Sequence, residues 1–179
     1  MTEAEFSARV QQQSGQDLSR CYYCQKCSAG CPTAYAMDVQ PAQILKMVQL
    51  GLKDDLLRSA ALWLCVGCET CGTRCPNGIA VAPVIDVLKQ MALAEGVAIS
   101  EARSLAFHRS FVDSIRRLGR VHEVSMLAEY KLRSLDLWSD LLLGMRMFRH
   151  GKLKLLPGRV ARLQEVRAAL SRAHGREDR

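Results

Sequence analysis

Apolar side chains recur along this chain at spacings of three and four, the period of a helix buried on one side. No stretch alternates at period two for long enough to make a strand. Thr2 is placed to cap a short helix that reaches about Gln13. Pro41 suits a first helical position and opens a stretch to Leu50 with Ile44, Met47 and Val48 on one face, stopped at Gly51. Asp54 and Asp55 favour the N-terminal end of a helix dipole, and the pattern predicts one helix from Leu56 to Leu64, running into Cys65. Pro83 opens another to Glu95, aligning Val84, Ile85, Leu88, Met91 and Ala92, with Gly96 as its stop. Beyond residue 100 the pattern stays helical. Ser100 caps a helix through Leu118, with Phe107, Phe111, Ile115 and Leu118 aligned, and a second covers Val121 to Leu132. A third, capped by Ser134, covers Leu135 to about Arg149. It is apolar nearly all round, including Leu137, Trp138 and Met145, which predicts burial against its own domain or a partner. After a loop at 151–158, a last helix covers Val160 to Ala173, and His174 to Arg179 is left as a disordered tail. The predicted fold class is all-α in two parts, residues 1–99 and a helical extension over 100–179.

The cysteines change the picture of the first part. All eight stand in two runs, Cys21, Cys24, Cys27, Cys31-Pro32 and Cys65, Cys68, Cys71, Cys75-Pro76, each spaced C-x2-C-x2-C-x3-C-P. The second run repeats the first at an interval of 44 residues (65 minus 21). This is the bacterial run that holds [4Fe–4S] clusters, in which three closely spaced thiolates wrap one cube and the fourth ligates the other. The expected assignment is crossed: Cys21, Cys24, Cys27 and Cys75 on one cluster, and Cys65, Cys68, Cys71 and Cys31 on the other. Pro32 and Pro76 turn the chain away after the fourth cysteine. Gly30 and Gly72 are read as places where backbone closes on a bulky inorganic group. Zinc sites pair two C-x2-C knuckles around each ion, and a disulfide framework belongs to a short secreted chain, so both fit the spacing less well. Tyr22 and Tyr23 read as shields packed over the clusters. Lys26 and Arg74 read as surface charges that could also stabilise a reduced, more negative cluster.

Charge and composition narrow the function. The net charge is +7, yet residues 1–100 carry 8 basic and 9 acidic side chains (net −1) while residues 101–179 carry 17 and 9 (net +8). The basic excess therefore balances anionic clusters or faces an acidic partner, and no nucleic-acid motif accompanies it. The N-terminus reads as neither a secretory nor a transit peptide, and no apolar run approaches the roughly 20 residues of a membrane span. Reduced cysteines and oxygen-sensitive clusters point to a cytoplasmic location. There is no dinucleotide fingerprint, phosphate loop or nucleophile elbow. His108, His122, His150 and His174 are scattered, and a structural role suits His122 better than a catalytic one. The expected chain is thus a non-catalytic carrier of two [4Fe–4S] clusters.

Two such runs about 44 residues apart in a helical frame resemble the α-helical ferredoxin family. The length, the stretch from Phe111 to Glu123 and the segment from Gly151 to Pro157 before a closing helix resemble the family of C-type subunits of soluble heterodisulfide reductase. That resemblance implies an electron relay between two other subunits, with the eight cysteines as the functional residues. The A-type partner carries flavin and iron–sulfur clusters. The B-type partner is disulfide-active and has cysteine-rich CCG motifs. Two other relays remain open, one for a glycolate oxidase or glycerol-3-phosphate dehydrogenase type enzyme and one for a sulfur-oxidising complex. A stand-alone sensor of cluster state is a further reading from a different class.

Overall fold

The computed structural model describes residues 2–134, 141–150, 158 and 160–177. Its elements are helical, with no strand among the described residues. Two compact units divide the chain, Met1–Glu101 and Ala102–Arg179.

The first unit opens with α1 (Glu3–Ser14), started by a reciprocal cap. The Thr2 N–H donates to Glu5 Oε2 at 2.7 Å and the Glu5 N–H to Thr2 Oγ1 at 3.3 Å, so two orphan donors of the first turn are satisfied. There follow α2 (Lys26–Ala29), α3 (Pro41–Gln49), α4 (Lys53–Leu57), α5 (Ala61–Leu64), α6 (Thr70–Thr73) and α7 (Val81–Ala94), with 3-10 turns at Leu18–Arg20 and Ala34–Ala36. α7 is the spine and packs against α1, α3, α4, α5 and α6. Val84, Ile85, Leu88, Met91 and Ala92 are all buried there, the face that the periodicity picked out. Phe6 and Val10 of α1 and Ile44, Leu45 and Val48 of α3 fill the same core, each large side chain contributing about 1.5–3 kcal/mol by burial. The chain leaves α3 through Gly51 at φ +72, where a Cβ would strike the Glu3 backbone, with Cα only 2.7 Å away.

Two expectations need correction here. The single helix predicted over Leu56 to Leu64 is two, broken at residues 58–60, because a remote carboxylate takes the N–H groups that would have continued it. α7 begins at Val81, not Pro83. Proline is tolerated at its third position because first-turn N–H groups have no intrahelical partner.

The second unit contains α8 (Ala102–Leu118), α9 (Glu123–Ser134), α10 (Leu141–Arg149) and α11 (Leu163–Glu177). α8 packs on α9 and α11. Its buried positions are Ser110 and Ser114, while Phe107 and Phe111 remain 40% and 38% exposed, so the expected aromatic stripe is not the packed seam. Small side chains let α9 come close, and Phe107 meets Tyr130 edge-on with centroids 5.8 Å apart. His122 is structural: its Nδ1 lies 3.0 Å from Ser125 Oγ at the start of α9, and its N–H donates to Ser114 Oγ at 3.1 Å. Ser134, expected to cap a third helix, is the last residue of α9. The apolar helix predicted from Leu135 falls partly outside the described residues, including Leu137 and Trp138, and within α10 Met145 is 55% exposed. The loop over 151–157 lies outside them too. The final helix reaches Glu177, into the stretch expected to be a disordered tail. Its basic face is partly engaged, Arg167 Nε donating to the Arg116 carbonyl at 2.8 Å and so satisfying the C-terminal end of α8.

Candidate iron–sulfur site

Both cysteine runs fold the same way, residue for residue. Tyr23 and Gln25 take left-handed backbone angles (φ 60 and 62), and their counterparts 44 residues on, Gly67 and Glu69, do likewise (φ 64 and 56). A one-turn helix follows each, α2 after Gln25 and α6 after Glu69. The fourth cysteine of each run closes it: Cys31 N–H donates to the Ser28 carbonyl and Cys75 N–H to the Gly72 carbonyl, both at 3.1 Å. Left-handed residues alternating with ordinary ones are the backbone pattern of a nest, which holds an anion on its N–H groups. Three of the four are not glycine, and each costs on the order of 1–2 kcal/mol. Strain kept at matching positions of two loops marks them as functional.

α2 packs on α6, so the runs are brought side by side. Cys21, Cys24, Cys27 and Cys75 line one pocket, with Tyr23, Gln25, Ala42, Leu45, Ile79 and Val81. Cys75 of the second run is therefore among the thiols of the first. Cys31, Cys65, Cys68 and Cys71 line none of that cavity. Cys31 Sγ lies 3.5 Å from Thr33 Oγ1 and Cys68 Sγ 3.4 Å from Thr70 Oγ1. Among the described residues no three His, Cys, Asp or Glu side chains converge as ligands of a single ion. Four thiols that ring an opening suit a cube with four separate iron corners, and a [4Fe–4S] cluster fits this donor set, to which it would bring reversible one-electron chemistry.

The thiols differ in environment. Burial pushes the Cys27 thiol up, and burial does the same to Cys65. Cys68 is exposed and held below its ordinary value, first by the Thr70 hydroxyl and then by the Thr70 N–H. Tyr23 lines the cavity as a shield, but Tyr22 does not: it is 63% exposed. Its counterpart Val66 is 65% exposed.

The two glycines also have a reason within the protein itself. The space a Cβ would take at Gly30 is filled by the Arg74 side chain, whose Nε would lie 2.6 Å away. At Gly72 a Cβ would press on the Ala80 backbone, 3.3 Å away. Both glycines let protein close on protein.

Sequence reading missed the side chains that strap the runs in place. Asp38 accepts from Ser59 Oγ at 2.8 Å, Ala60 N–H at 2.9 Å and Ala61 N–H at 2.8 Å, fixing the start of α5, the helix that delivers Cys65. Gln49 Nε2 donates to the Leu18 carbonyl at 2.6 Å, Gln16 Oε1 accepts from Ala80 N–H at 2.8 Å, and Asn77 Nδ2 donates to the Arg20 carbonyl. Ser28 Oγ, inside the first run, accepts from Ala42 N–H at 2.9 Å. The only sequence signal for any of these was proximity to the runs, as at Asn77 after Cys75-Pro76.

Residues 17–79 match the family described as 4Fe-4S dicluster domain. This part of the chain resembles a 4Fe–4S dicluster domain. The chain is also similar to curated proteins named as the C-type subunits of heterodisulfide reductases. One is that of the H(2):CoB-CoM heterodisulfide,ferredoxin reductase of Methanothermobacter thermautotrophicus, 30% identical over 94 residues, which cover 52% of this chain and 51% of the relative. Another is that of the ferredoxin:CoB-CoM heterodisulfide reductase of Methanosarcina acetivorans, 38% identical over 86 residues, covering 47% and 34%. A third is that of the ferredoxin/F(420)H(2)-dependent CoB-CoM heterodisulfide reductase of the same organism, 29% identical over 126 residues, 70% of this chain and 73% of the relative. The first two matches span about half or less of the relatives' length. The chain resembles the C-type subunit of heterodisulfide reductase. No helix among the described residues is long and apolar enough to cross a membrane.

Proposed function

We propose that this chain is the electron-transfer subunit of a heterodisulfide-reductase-type complex in the cytoplasm. Its dicluster domain holds two [4Fe–4S] clusters, one on Cys21, Cys24, Cys27 and Cys75 and the other on Cys65, Cys68, Cys71 and Cys31. The observation that carries this reading is the presence of Cys75 in the cavity of the first run, since an exchanged fourth ligand sets two cubes close together. Clusters held on these eight cysteines would supply reversible one-electron chemistry at two neighbouring sites. The chain relays electrons between an A-type partner, which holds flavin and iron–sulfur clusters, and a disulfide-active B-type partner. The likeness to C-type subunits of heterodisulfide reductases favours this partner set over other iron–sulfur relays. The chain does not cleave the disulfide itself.

Anaerobic iron and sulfide quantitation with EPR of the dithionite-reduced protein tests the reading. About eight iron and eight sulfide per chain, with two interacting reduced cubanes, are expected for a dicluster carrier. Zinc, or a single cluster after anaerobic reconstitution, overturns it. Co-purification with a flavoprotein and a CCG-motif protein tests the partners.

A further inference from the structure

The two loops share a backbone fold but not a charge pattern. Around the first run stand three cations, Arg20, Lys26 and Arg74, all exposed. Their counterparts 44 residues on are uncharged or absent: Leu64 for Arg20 and Thr70 for Lys26, with Gly30 opposite Arg74 in the reverse direction. Arg74 comes from the second run, but its side chain lies across Gly30, at the end of the first run's α2. Arg20 is held beside the Cys75 turn through its carbonyl, which accepts from Asn77. Among the described residues none of these three is paired with a carboxylate, whereas Lys89, the cation acting on Cys65, is paired with Asp86. The second loop carries the exposed carboxylate of Glu69 where the first has Gln25.

The placement is local. The first 100 residues have a net charge of −1 (8 basic, 9 acidic), and thiolate-ligated clusters make the domain more negative still. Lys26 opens α2, Arg74 lies across Gly30 at its end and Arg20 is tied to Asn77, so three cations without a carboxylate partner among the described residues stand by the first run of an otherwise acidic domain. Tyr22 is 63% exposed and close to Cys21, Cys24 and Cys75. Cys24 is exposed as well. Unpaired positive charge on the same run as an exposed aromatic and an exposed cysteine suits a partner that is negative around its own redox group. Complementary charge raises the rate of encounter and fixes orientation more than it adds affinity, which suits a fast one-electron handover.

We propose that Arg20, Tyr22, Lys26 and Arg74 form the docking surface for an acidic redox protein. This rests on the relay reading above. One electron leaves the partner's reduced cofactor and enters the cluster on Cys21, Cys24, Cys27 and Cys75, with no bond made or broken.

The test uses the full-length, cluster-loaded protein and an acidic flavodoxin hydroquinone as probe, in stopped flow. The second-order rate constant for cluster reduction should fall at least tenfold between low and high ionic strength. The combined R20Q/K26Q/R74Q variant should lose most of that salt dependence and be about tenfold slower at low salt. A remote variant with the same change in net charge, R9Q/R58Q/R103Q, should keep it. A parental rate indifferent to salt, or equal slowing by both variants, overturns the proposal. So does binding of DNA or anionic vesicles, and not of flavodoxin, through the same three residues. Iron, sulfide and reduced EPR spectra from the same samples report on the relay reading independently: a loaded dicluster protein that ignores charge at these residues sinks the docking surface alone.

Discussion

Removing the carboxylate of Asp38 should loosen the second cysteine run and leave the first in place. Asp38 gathers Ser59 Oγ, Ala60 N–H and Ala61 N–H at 2.8–2.9 Å, and so caps α5 from 23 residues away. A hydrogen bond to a charged group is worth about 1.5–3 kcal/mol. These three share one partly exposed carboxylate, so their sum is discounted for solvent and settles at about 2 kcal/mol, the upper end of a helix N-cap. In D38A the amides at the start of α5 should then exchange with solvent about 30-fold faster, at 1.36 kcal/mol per factor of ten. D38N keeps an acceptor and should fall between. Hydrogen exchange with mass spectrometry on the cluster-loaded protein reads this peptide by peptide. The sign with pH is fixed. Burial alone would push this carboxyl up, but the bonds from Ser59, Ala60, Ala61 and Val39 outweigh it and hold it below its ordinary 3.8. A carboxyl depressed on folding contributes fully above its unfolded value and loses its contribution as pH falls through the folded one, so the difference between D38A and the parent should close only in acid below 3.8. Unchanged exchange over α5 in D38A, or equal loosening of α2, would refute the capping argument.

Cys31→Ser should damage the cluster held by Cys65, Cys68 and Cys71 and spare that of its own run; EPR of the reduced variant that loses only the first-run cluster would disprove the exchange of ligands. Gly67→Ala places a Cβ in the left-handed region at φ +64 and should destabilise the second loop by about 1 kcal/mol, whereas Tyr23→Gly relieves a similar cost but uncovers the cavity and should hasten cluster loss in air; both are followed by the decay of visible absorbance. Gly72→Ala should lower thermal stability by about 1–3 kcal/mol because the added methyl meets the Ala80 backbone, while Gly30→Ala, which meets only the movable Arg74 side chain, should cost less; the reverse order in a melting experiment would refute the packing account.

Much of this was legible in the sequence, for identifiable reasons. The cysteine spacing is local, and local spacing dictates loop shape. The face of α7 is periodic, and periodicity survives whatever packs against it. What escaped is the part that acts over distance. The bond from Asp38 to α5 leaves no periodic trace, yet it splits a helix that the pattern drew as continuous. In α8 the aromatic residues gave the stronger signal, but Ser110 and Ser114 are the ones buried, because the closeness of a neighbouring helix depends on small side chains and not on hydrophobicity. Gly30 and Gly72 were noticed for their position, and only the structure shows that Arg74 and Ala80 occupy the room they leave.

The presence of Cys75 among the thiols of the first run bears on how the protein matures. A cube bound there ties residue 27 to residue 75 and closes a loop of 48 residues (75 minus 27), at an entropic cost of roughly 3 kcal/mol in a flexible chain. Whichever cube arrives first meets that cost. The next finds its four thiols already gathered. With the exchanged ligands proposed here, the second cube would bind more readily than the first, and cells short of iron would hold fewer half-filled chains than two independent sites would give.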